Sequence, residues 1–361
     1  MPILGLCAGF GGLEIAVEEL TGERVAYVAE IDRYAAQILA HHHPDLPNLG
    51  DITSIDWTEL VGQVDIVCAG FPCQDISNAG HRKGIDGEKS GVWRNVAEAI
   101  RVLRPRLVFL ENVSAIARRG LDRVLGDLAA IGYDARWMCF RASEVGAAHH
   151  RDRWFCVAFP SADAPGAGLE SRHREPARED EPPAERGRLA LAGGAPSDGD
   201  AADSEGQRRP EGSAQPAGQQ RTLYALAGGR SASAADTDRV RRHGRSGTRP
   251  RLDWGDEPAH PRHSPSEWWG EYAPAIHRWE SVIGVPAPYP TEIGPRGGRR
   301  LTAVFAEWLM GIPGRVTTIP GLSRSQQLHK VGNGVVPHQA YAAYRLILIE
   351  LLLTERLQLA A

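Results

Sequence analysis

Short apolar runs alternate with amphipathic stretches over the first 160 residues. The apolar runs lie at residues 3–7, 24–29, 64–69 and 107–110, and the helix-like stretches lie at 11–20, 34–40, 93–103 and 121–131. Continuous apolar strands that alternate with helices are typical of a parallel sheet covered on both faces. Two further strand-like runs, 135–140 and 154–159, have no good helix between them. The pattern therefore predicts an α/β fold with a mostly parallel sheet and an antiparallel edge.

The pattern changes after Pro160. From residue 161 to residue 250 there is no Ile, Phe, Trp, Met or Cys, and Val240 is the only valine. A segment with so few apolar side chains cannot easily offset the entropy lost on ordering it. We therefore expect a catalytic and ligand-binding domain over 1–160 and a flexible insertion over 161–253. The alternative for the insertion is a small element that contacts nucleic acid.

Apolar periodicity returns at Trp254. Ile276, Trp279 and Ile283 recur at helical spacing and predict a packed helix within a small region, 254–298. A C-terminal segment, 299–361, follows. It is expected to contain an amphipathic helix over 301–310 and a terminal helix over 338–356.

Composition narrows the class of protein. The 361 residues carry a formal net charge of −4, so any polyanion would have to bind a local basic face. The longest apolar stretch, 346–353, is interrupted by Glu350 and is too short for a membrane span. Because a strand-like run begins almost at Met1, we expect no secretory leader. Its five cysteines have no CxxC spacing and are typical of a reducing cytoplasm. We expect a cytoplasmic protein that does not bind membranes.

A glycine-rich turn joins the first strand to the first helix. It consists of Ala8, Gly9, Phe10, Gly11 and Gly12. Glycines in such a turn let the backbone approach a nucleotide-like ligand and leave helix N–H groups free to bind it, although tight turns use glycine anyway. Glu30 ends the second strand, where an acid holds a ribose diol. Asp51 and Ile52 lie where a third strand would end. The alternative is that both acids are ordinary surface carboxylates.

A stiff turn carries Cys73. Pro72 fixes its own φ and favours an extended residue before it, which holds the cysteine beyond the 64–69 strand and towards a ligand crevice. A buried structural cysteine is the usual interpretation of a lone Cys. The proline before Cys73 and the polar Gln74 and Asp75 after it do not suit a core position. A catalytic nucleophile is therefore as well supported as a structural cysteine.

Charged residues flank two later strands. Glu111 follows the 107–110 strand and is either a helix cap or ion-pair partner, or a general acid in a dry pocket. Arg151 and Arg153 precede the last strand, either as solvated charges or as groups that grip phosphate and base. His149 and His150 beside them are adjacent rather than at helical metal-ligand spacing, so no metal site is expected.

In combination these residues resemble the cytosine-C5 DNA methyltransferases. The turn at 8–12 is similar to the first cofactor motif of that family, and Glu30 and Asp51 match its second and third. Pro72-Cys73-Gln74 resembles its catalytic loop, Glu111-Asn112-Val113 its acid motif, and Arg151-Asp152-Arg153 the end of its arginine motif. The segments 300–311 and 332–337 resemble the last two motifs.

The resemblance implies a Rossmann-like fold and S-adenosyl-L-methionine as methyl donor. The implied catalytic residues are Cys73, Glu111, Arg151 and Arg153. The implied cofactor contacts are Ala8, Gly9, Phe10, Gly11, Gly12, Glu30, Asp51, Ile52, Pro72, Asn333 and Val335. The 254–298 region would recognise the target, and the C-terminal segment would complete the cofactor pocket. Double-stranded DNA is the implied substrate, a restriction endonuclease system is a possible partner, and a monomer is expected.

Some residues depart from the family pattern. Cys7 stands where phenylalanine is usual, His149 where glutamine is usual, and Gly334 where serine is common. Two alternatives stay open: the same chemistry on structured RNA, and a non-catalytic DNA-binding relative. A relative of the second kind should have lost Cys73 or Glu111, and both are present.

Overall fold

The computed structural model describes residues 1–72, 91–161 and 266–360, with side chains described through 354 and from 269 in the last range. The strands are β1 (Ile3–Leu6), β2 (Val25–Ala29), β3 (Ile66–Gly70), β4 (Leu107–Val113), β5 (Tyr133–Arg141), β6 (Asp152–Pro160), β7 (Thr291–Ile293) and β8 (Arg299–Leu301). The helices are α1 (Gly12–Thr21), α2 (Arg33–His42), α3 (Val92–Leu103), α4 (Ile116–Arg119), α5 (Leu121–Ala130), α6 (Ala273–Ile283), α7 (Ala303–Leu309), α8 (Arg324–Asn333) and α9 (Pro337–Ala360). The expected insertion at 161–253 lies almost wholly outside the described residues, as does Cys73.

Six strands form the main sheet in the order β2-β1-β3-β4-β6-β5. The pairs β1/β2, β1/β3 and β3/β4 are parallel, while β6 pairs antiparallel with β4 and β5. The predicted α/β fold with an antiparallel edge is confirmed. Because β1, β3 and β4 are parallel, their carboxyl ends meet at one edge, where Gly70 lies opposite Glu111.

Helices cover both faces of this sheet. On one face the fully buried Tyr344 of α9 packs its ring 4.9 Å from that of Phe109 and 5.4 Å from that of Phe155. Its hydroxyl donates to the carbonyl oxygen of Leu110 at 2.9 Å. On the other face α3 buries Trp93 against Phe71. Within the described ranges, no helix combines the length and the apolar character that crossing a bilayer requires.

Two local predictions were wrong. The third strand expected to end near Asp51 is reduced to one isolated bridge between Val28 and Asn48. The helix expected from residue 301 begins at Ala303, because Leu301 pairs with Thr291 in a small hairpin and Thr302 caps the helix by accepting from the Phe305 N–H at 3.2 Å.

A carboxyl group is buried between α1 and the sheet. Glu14 lies against Gly5 of β1, where a Cβ would come within 2.4 Å of Oε1. The Cys68 thiol of β3 donates to the same oxygen at 3.7 Å. Burial raises the pKa of Glu14 to about 8, more than the nearby Arg315 charge and the local hydrogen bonds lower it. The folded protein therefore holds this proton across the range in which an exposed glutamate would lose it.

We expect Glu14→Gln to stabilise the fold at alkaline pH. The folded pKa lies above the unfolded value, so the folded state binds more protons, and the free energy of unfolding falls as the pH rises from about 4.5 to about 8. The amide lacks this ionisation. Thermal denaturation should give similar melting temperatures near pH 5 and a higher one for the variant near pH 9. Glu19→Gln, at an exposed position of α1, is the control. A difference that does not change with pH would contradict the assignment.

Candidate active site

The glycine turn between β1 and α1 packs tightly against the C-terminal segment. Gly9 and Gly11 have φ values of 60° and 87°, in the left-handed region that favours glycine. A Cβ on Gly12 would lie 2.7 Å from the carbonyl oxygen of Val335. A Cβ on Gly334 would lie 1.7 Å from the buried ring of Phe10. The glycine that replaces the family's common serine at 334 is therefore matched to the phenylalanine in this turn.

Glu30 is held rigidly at the end of β2. Its Oε2 accepts from the Gly9 N–H and its Oε1 from the Asp32 N–H, both at 2.7 Å. The Asn48 side chain accepts from the Glu30 N–H and donates to the Glu30 carbonyl, both at 3.0 Å. Burial raises the pKa of Glu30 above its ordinary value, against the opposing effect of these hydrogen bonds and of Lys330. Sequence reasoning missed Asn48, whose contacts connect residues 18 positions apart.

Cys7 lies close to three acidic residues at the carboxyl end of β1. Its backbone has a φ of 55°, and its N–H donates to the Ala29 carbonyl at 2.8 Å. Burial, followed by the charges of Glu30, Glu14 and Asp51, raises the pKa of the thiol to about 12. Asp51 is partly exposed and accepts from the Thr53 N–H at 2.9 Å. Its neighbour Ile52 is buried.

These residues fit the adenosyl cofactor that the sequence resemblance implies. The carboxylate of Glu30 uses one hydrogen bond on each oxygen, so each oxygen has a lone pair left for a ribose hydroxyl. Ala8 is buried beneath the turn, and Val335 is buried where its backbone meets Gly12. Asn333 is exposed at the end of α8, with its Nδ2 3.3 Å from the His329 ring. Pro72 is exposed at the end of its strand.

We expect Glu30→Ala to weaken S-adenosylmethionine binding by about 1.5–3 kcal/mol, the scale of hydrogen bonds to a charged group. Isothermal titration calorimetry measures the change directly. Asp45→Ala, an exposed carboxylate on the following turn, is the matched control and should bind normally. Unchanged affinity in a folded Glu30→Ala protein would remove Glu30 from the cofactor site.

Glu111 is a buried carboxyl at the carboxyl end of β4. Its Oε1 lies 3.2 Å from Nε of Arg153, and both side chains are largely buried. Register explains the pair, because Arg153 lies opposite Val113 on the antiparallel strand β6. Burial raises the pKa of Glu111, although the charges of Arg153 and Arg151 oppose the rise. Glu111 is therefore more readily protonated than an exposed glutamate.

Asn112 fixes the chain that leads to Cys73. Its Nδ2 donates to the carbonyl oxygen of Phe71 at 3.1 Å, and its Oδ1 accepts from the Val113 N–H at 2.9 Å. The Phe71 ring packs 5.0 Å from that of Trp93. Phe71 is therefore anchored at the strand end that carries Glu111, and Cys73 follows two residues later in the chain.

Arg151 contacts the C-terminal segment, whereas Arg153 contacts Glu111. The Arg151 Nη2 donates to the carbonyl oxygens of Gly332, at 3.0 Å, and Gly334. Gln339 of α9 donates in turn to the Arg151 carbonyl at 2.8 Å. Burial, with the charge of Arg153, lowers the pKa of Arg151 to about 10. The two arginines therefore have different partners within the folded chain.

His149 occupies the position where the family pattern has glutamine. Burial lowers its pKa to about 4, and the charges of Arg151 and Arg153 contribute. The imidazole is therefore neutral near pH 7 and does not act as a cation beside the two arginines.

Comparison with known proteins gives one family and a consistent fold. The family model for the C-5 cytosine-specific DNA methylase matches residues 1–348. The chain is 35% identical over 156 residues to Type II methyltransferase M.CviJI of Paramecium bursaria Chlorella virus IL3A, covering 43% of this chain and 42% of that protein. It is 31% identical over 163 residues to Type II methyltransferase M.HhaI of Haemophilus parahaemolyticus, covering 44% and 49%. These matches span about half the length of the curated relatives.

Solved structures share the fold at low sequence identity. The methyltransferase EhMeth of Entamoeba histolytica superposes with a TM-score of 0.52 at 14% identity, covering 97% of this chain and 98% of that one. A DNMT2 mutant from Spodoptera frugiperda gives a TM-score of 0.51 at 13% identity, covering 96% and 99%.

Proposed function

Since the chain belongs to the C-5 cytosine-specific DNA methylase family, we propose that it methylates carbon 5 of cytosine in DNA with S-adenosyl-L-methionine as donor. The observation that carries this proposal is the buried Glu111, whose neighbour Asn112 anchors Phe71 two residues before Cys73. An acid and a strand end that leads directly to a cysteine are the two parts that this chemistry needs.

Cys73 activates the ring in the proposed mechanism. Carbon 5 of cytosine is a poor nucleophile, so the Cys73 thiolate first adds to carbon 6. Glu111, as a protonated carboxyl, gives its proton to ring nitrogen 3 and stabilises the developing charge. The raised pKa of Glu111 supports this role, because burial favours the form that carries the proton. The adduct is an enamine with electron density at carbon 5.

The second half of the cycle restores the aromatic ring. When bound, S-adenosylmethionine supplies the electrophilic methyl group that carbon 5 accepts. A base then removes the proton from carbon 5, and the electron pair of that C–H bond re-forms the double bond between carbons 5 and 6 as Cys73 leaves as a thiolate. The proton returns from nitrogen 3 to Glu111.

Arg153 has two roles in this proposal. Its guanidinium pairs with Glu111 at 3.2 Å and orients the carboxyl. A cation at this edge also favours the thiolate of Cys73, because a free thiol with a pKa of about 8.5 is only a few per cent ionised at neutral pH. Arg151 supports the site indirectly, through the carbonyl oxygens at the end of α8.

The target cytosine must leave the DNA double helix before it can react. Neither face of cytosine is accessible to a thiol inside a duplex, so the target base is flipped into the site. We propose double-stranded DNA as the substrate and a monomer as the active form. Since the similar curated proteins are named type II methyltransferases, a cognate restriction endonuclease is the partner system we propose.

Methylation of cytosine in duplex DNA is tested by bisulfite sequencing of DNA from cells that express the protein. We expect protected cytosines within one recurring sequence. Assays of the purified protein on duplex DNA and on structured RNA separate the main proposal from the RNA alternative. Methyl incorporation into RNA alone would contradict the choice of DNA, and no incorporation into either would contradict the enzyme assignment.

A further inference from the structure

A buried lysine joins the C-terminal segment to the turn that holds Glu30. The Nζ of Lys330, on α8, lies 2.5 Å from Oδ2 of Asp32. The Lys330 side chain is 9% exposed and that of Asp32 is 40% exposed. These residues are almost 300 positions apart, so the contact brings the end of the chain to the second cofactor motif.

Asp32 contacts both Lys330 and Glu30 and so links them. Its Oδ1 accepts from the N–H groups of Tyr34 at 2.9 Å and Ala35 at 3.0 Å, and so caps α2. Its own N–H donates to Oε1 of Glu30 at 2.7 Å. Because one carboxylate oxygen is used by the helix cap, the other is available to Lys330. Lys330 therefore fixes the residue whose backbone orients one side of the Glu30 carboxylate.

The charges around Glu30 make a cation useful at this point. Asp32 acts on Glu30 as a like charge and raises its pKa, while the charges of Glu30 and Asp51 both raise the pKa of the Cys7 thiol. Lys330 acts in the opposite sense and favours the ionised form of Glu30. An ion pair with a partly exposed partner contributes little to folding stability, so stability alone is a weak reason for burying a lysine here.

We propose that Lys330 is a positioning residue for the cofactor: it fixes Asp32 and thereby keeps the Glu30 carboxylate oriented to accept the ribose hydroxyls of S-adenosylmethionine. This inference rests on the proposed function. It adds a residue of the C-terminal segment that acts on the ribose site without touching the ligand itself.

The test is calorimetric titration of the full-length protein with S-adenosylmethionine between about pH 6 and about pH 8. The variants are Lys330→Met, Lys330→Arg, Asp32→Asn and the Asp32→Asn/Lys330→Met double variant. Asparagine keeps the helix cap. Arg345→Met removes an exposed cation from α9 and is the matched control. Melting temperatures show that each variant is folded.

We expect Lys330→Met to weaken binding about tenfold at neutral pH, the scale of one charge-assisted hydrogen bond. The loss should grow as the pH falls, because without the lysine Glu30 takes up its proton at a higher pH. In the Asp32→Asn background the same change should cost less than about threefold, since the contact is already gone. Lys330→Arg should recover most of the affinity. In turnover assays Lys330→Met should raise KM for the cofactor and leave kcat nearly unchanged.

Three results would overturn different parts of this proposal. If wild type binds the cofactor and Glu30→Ala binds it more weakly, while Lys330→Met equals wild type at every pH, the role of Lys330 is wrong and the proposed function stands. Equal losses for Lys330→Met in both backgrounds would likewise exclude action through Asp32. If wild type does not bind S-adenosylmethionine, the proposed function itself fails.

Discussion

Replacing Cys73 with serine should reduce methyl transfer to cytosine by about 10⁴-fold or more, the range seen when an enzyme loses its nucleophile. A serine hydroxyl without an adjacent base is far less ionised than a thiol, so addition to carbon 6 becomes the limiting step. Cofactor binding should remain, because the substitution does not alter Glu30 or the glycine turn. Incorporation of labelled methyl groups into duplex DNA measures the rate, and calorimetry measures cofactor affinity.

The other cysteines provide the control for this prediction. Cys7, Cys68, Cys139 and Cys156 are free thiols. Burial raises the pKa of Cys139 to about 11 and that of Cys7 to about 12. Such thiols are poor nucleophiles at neutral pH. Cys139→Ser should therefore keep near wild-type activity, and a Cys73→Ser protein with normal turnover would exclude Cys73 as the nucleophile.

Replacing Glu111 with glutamine should lower kcat by about 10²–10³-fold, within the range of general acid catalysis. The amide has the shape of the carboxyl group but cannot give a proton to nitrogen 3. KM for the cofactor should change little, because Glu30 lies at the end of a different strand. Single-turnover kinetics with saturating cofactor isolates the chemical step.

The partner of Glu111 makes a stability measurement necessary. The amide cannot ionise, so the largely buried Arg153 loses the carboxylate that lies 3.2 Å from its Nε when Glu111 is deprotonated, which lowers the stability of the fold. Glu111→Asp keeps a carboxyl and an ion-pair partner, and should retain more activity than Glu111→Gln at equal stability. If the loss of activity in the two variants simply followed the decrease in their melting temperatures, the acid role of Glu111 would be contradicted.

Much of the fold could be predicted from the sequence because the sheet is built from continuous apolar runs. The strand ends that carry Glu30 and Glu111 follow directly from those runs, and so does the antiparallel edge formed by β5 and β6. The strand predicted before Asp51 was wrong. That segment is held by the side chain of Asn48 and by one isolated bridge to Val28, and it forms no strand.

The contacts between distant parts of the chain could not be predicted. The Lys330–Asp32 pair and the contact of Arg151 with the end of α8 join residues far apart in sequence, and no local pattern marks them. The same limit applies to Arg151 and Arg153. Their spacing favoured one shared role, but Arg151 precedes β6 with a positive φ and contacts the end of α8, whereas Arg153 lies within β6 and contacts Glu111.

Covalent addition of Cys73 to cytosine is the central claim, and a duplex that carries 5-fluorocytosine at the target site tests it most directly. Fluorine cannot leave carbon 5 as a cation, so the cycle should stop after methyl transfer with the protein attached to the DNA. We expect an adduct that survives denaturing electrophoresis, needs S-adenosylmethionine for efficient formation, and is absent with Cys73→Ser. An adduct that persists in Cys73→Ser, or its absence from wild-type protein that methylates the unmodified duplex, would contradict the assigned nucleophile.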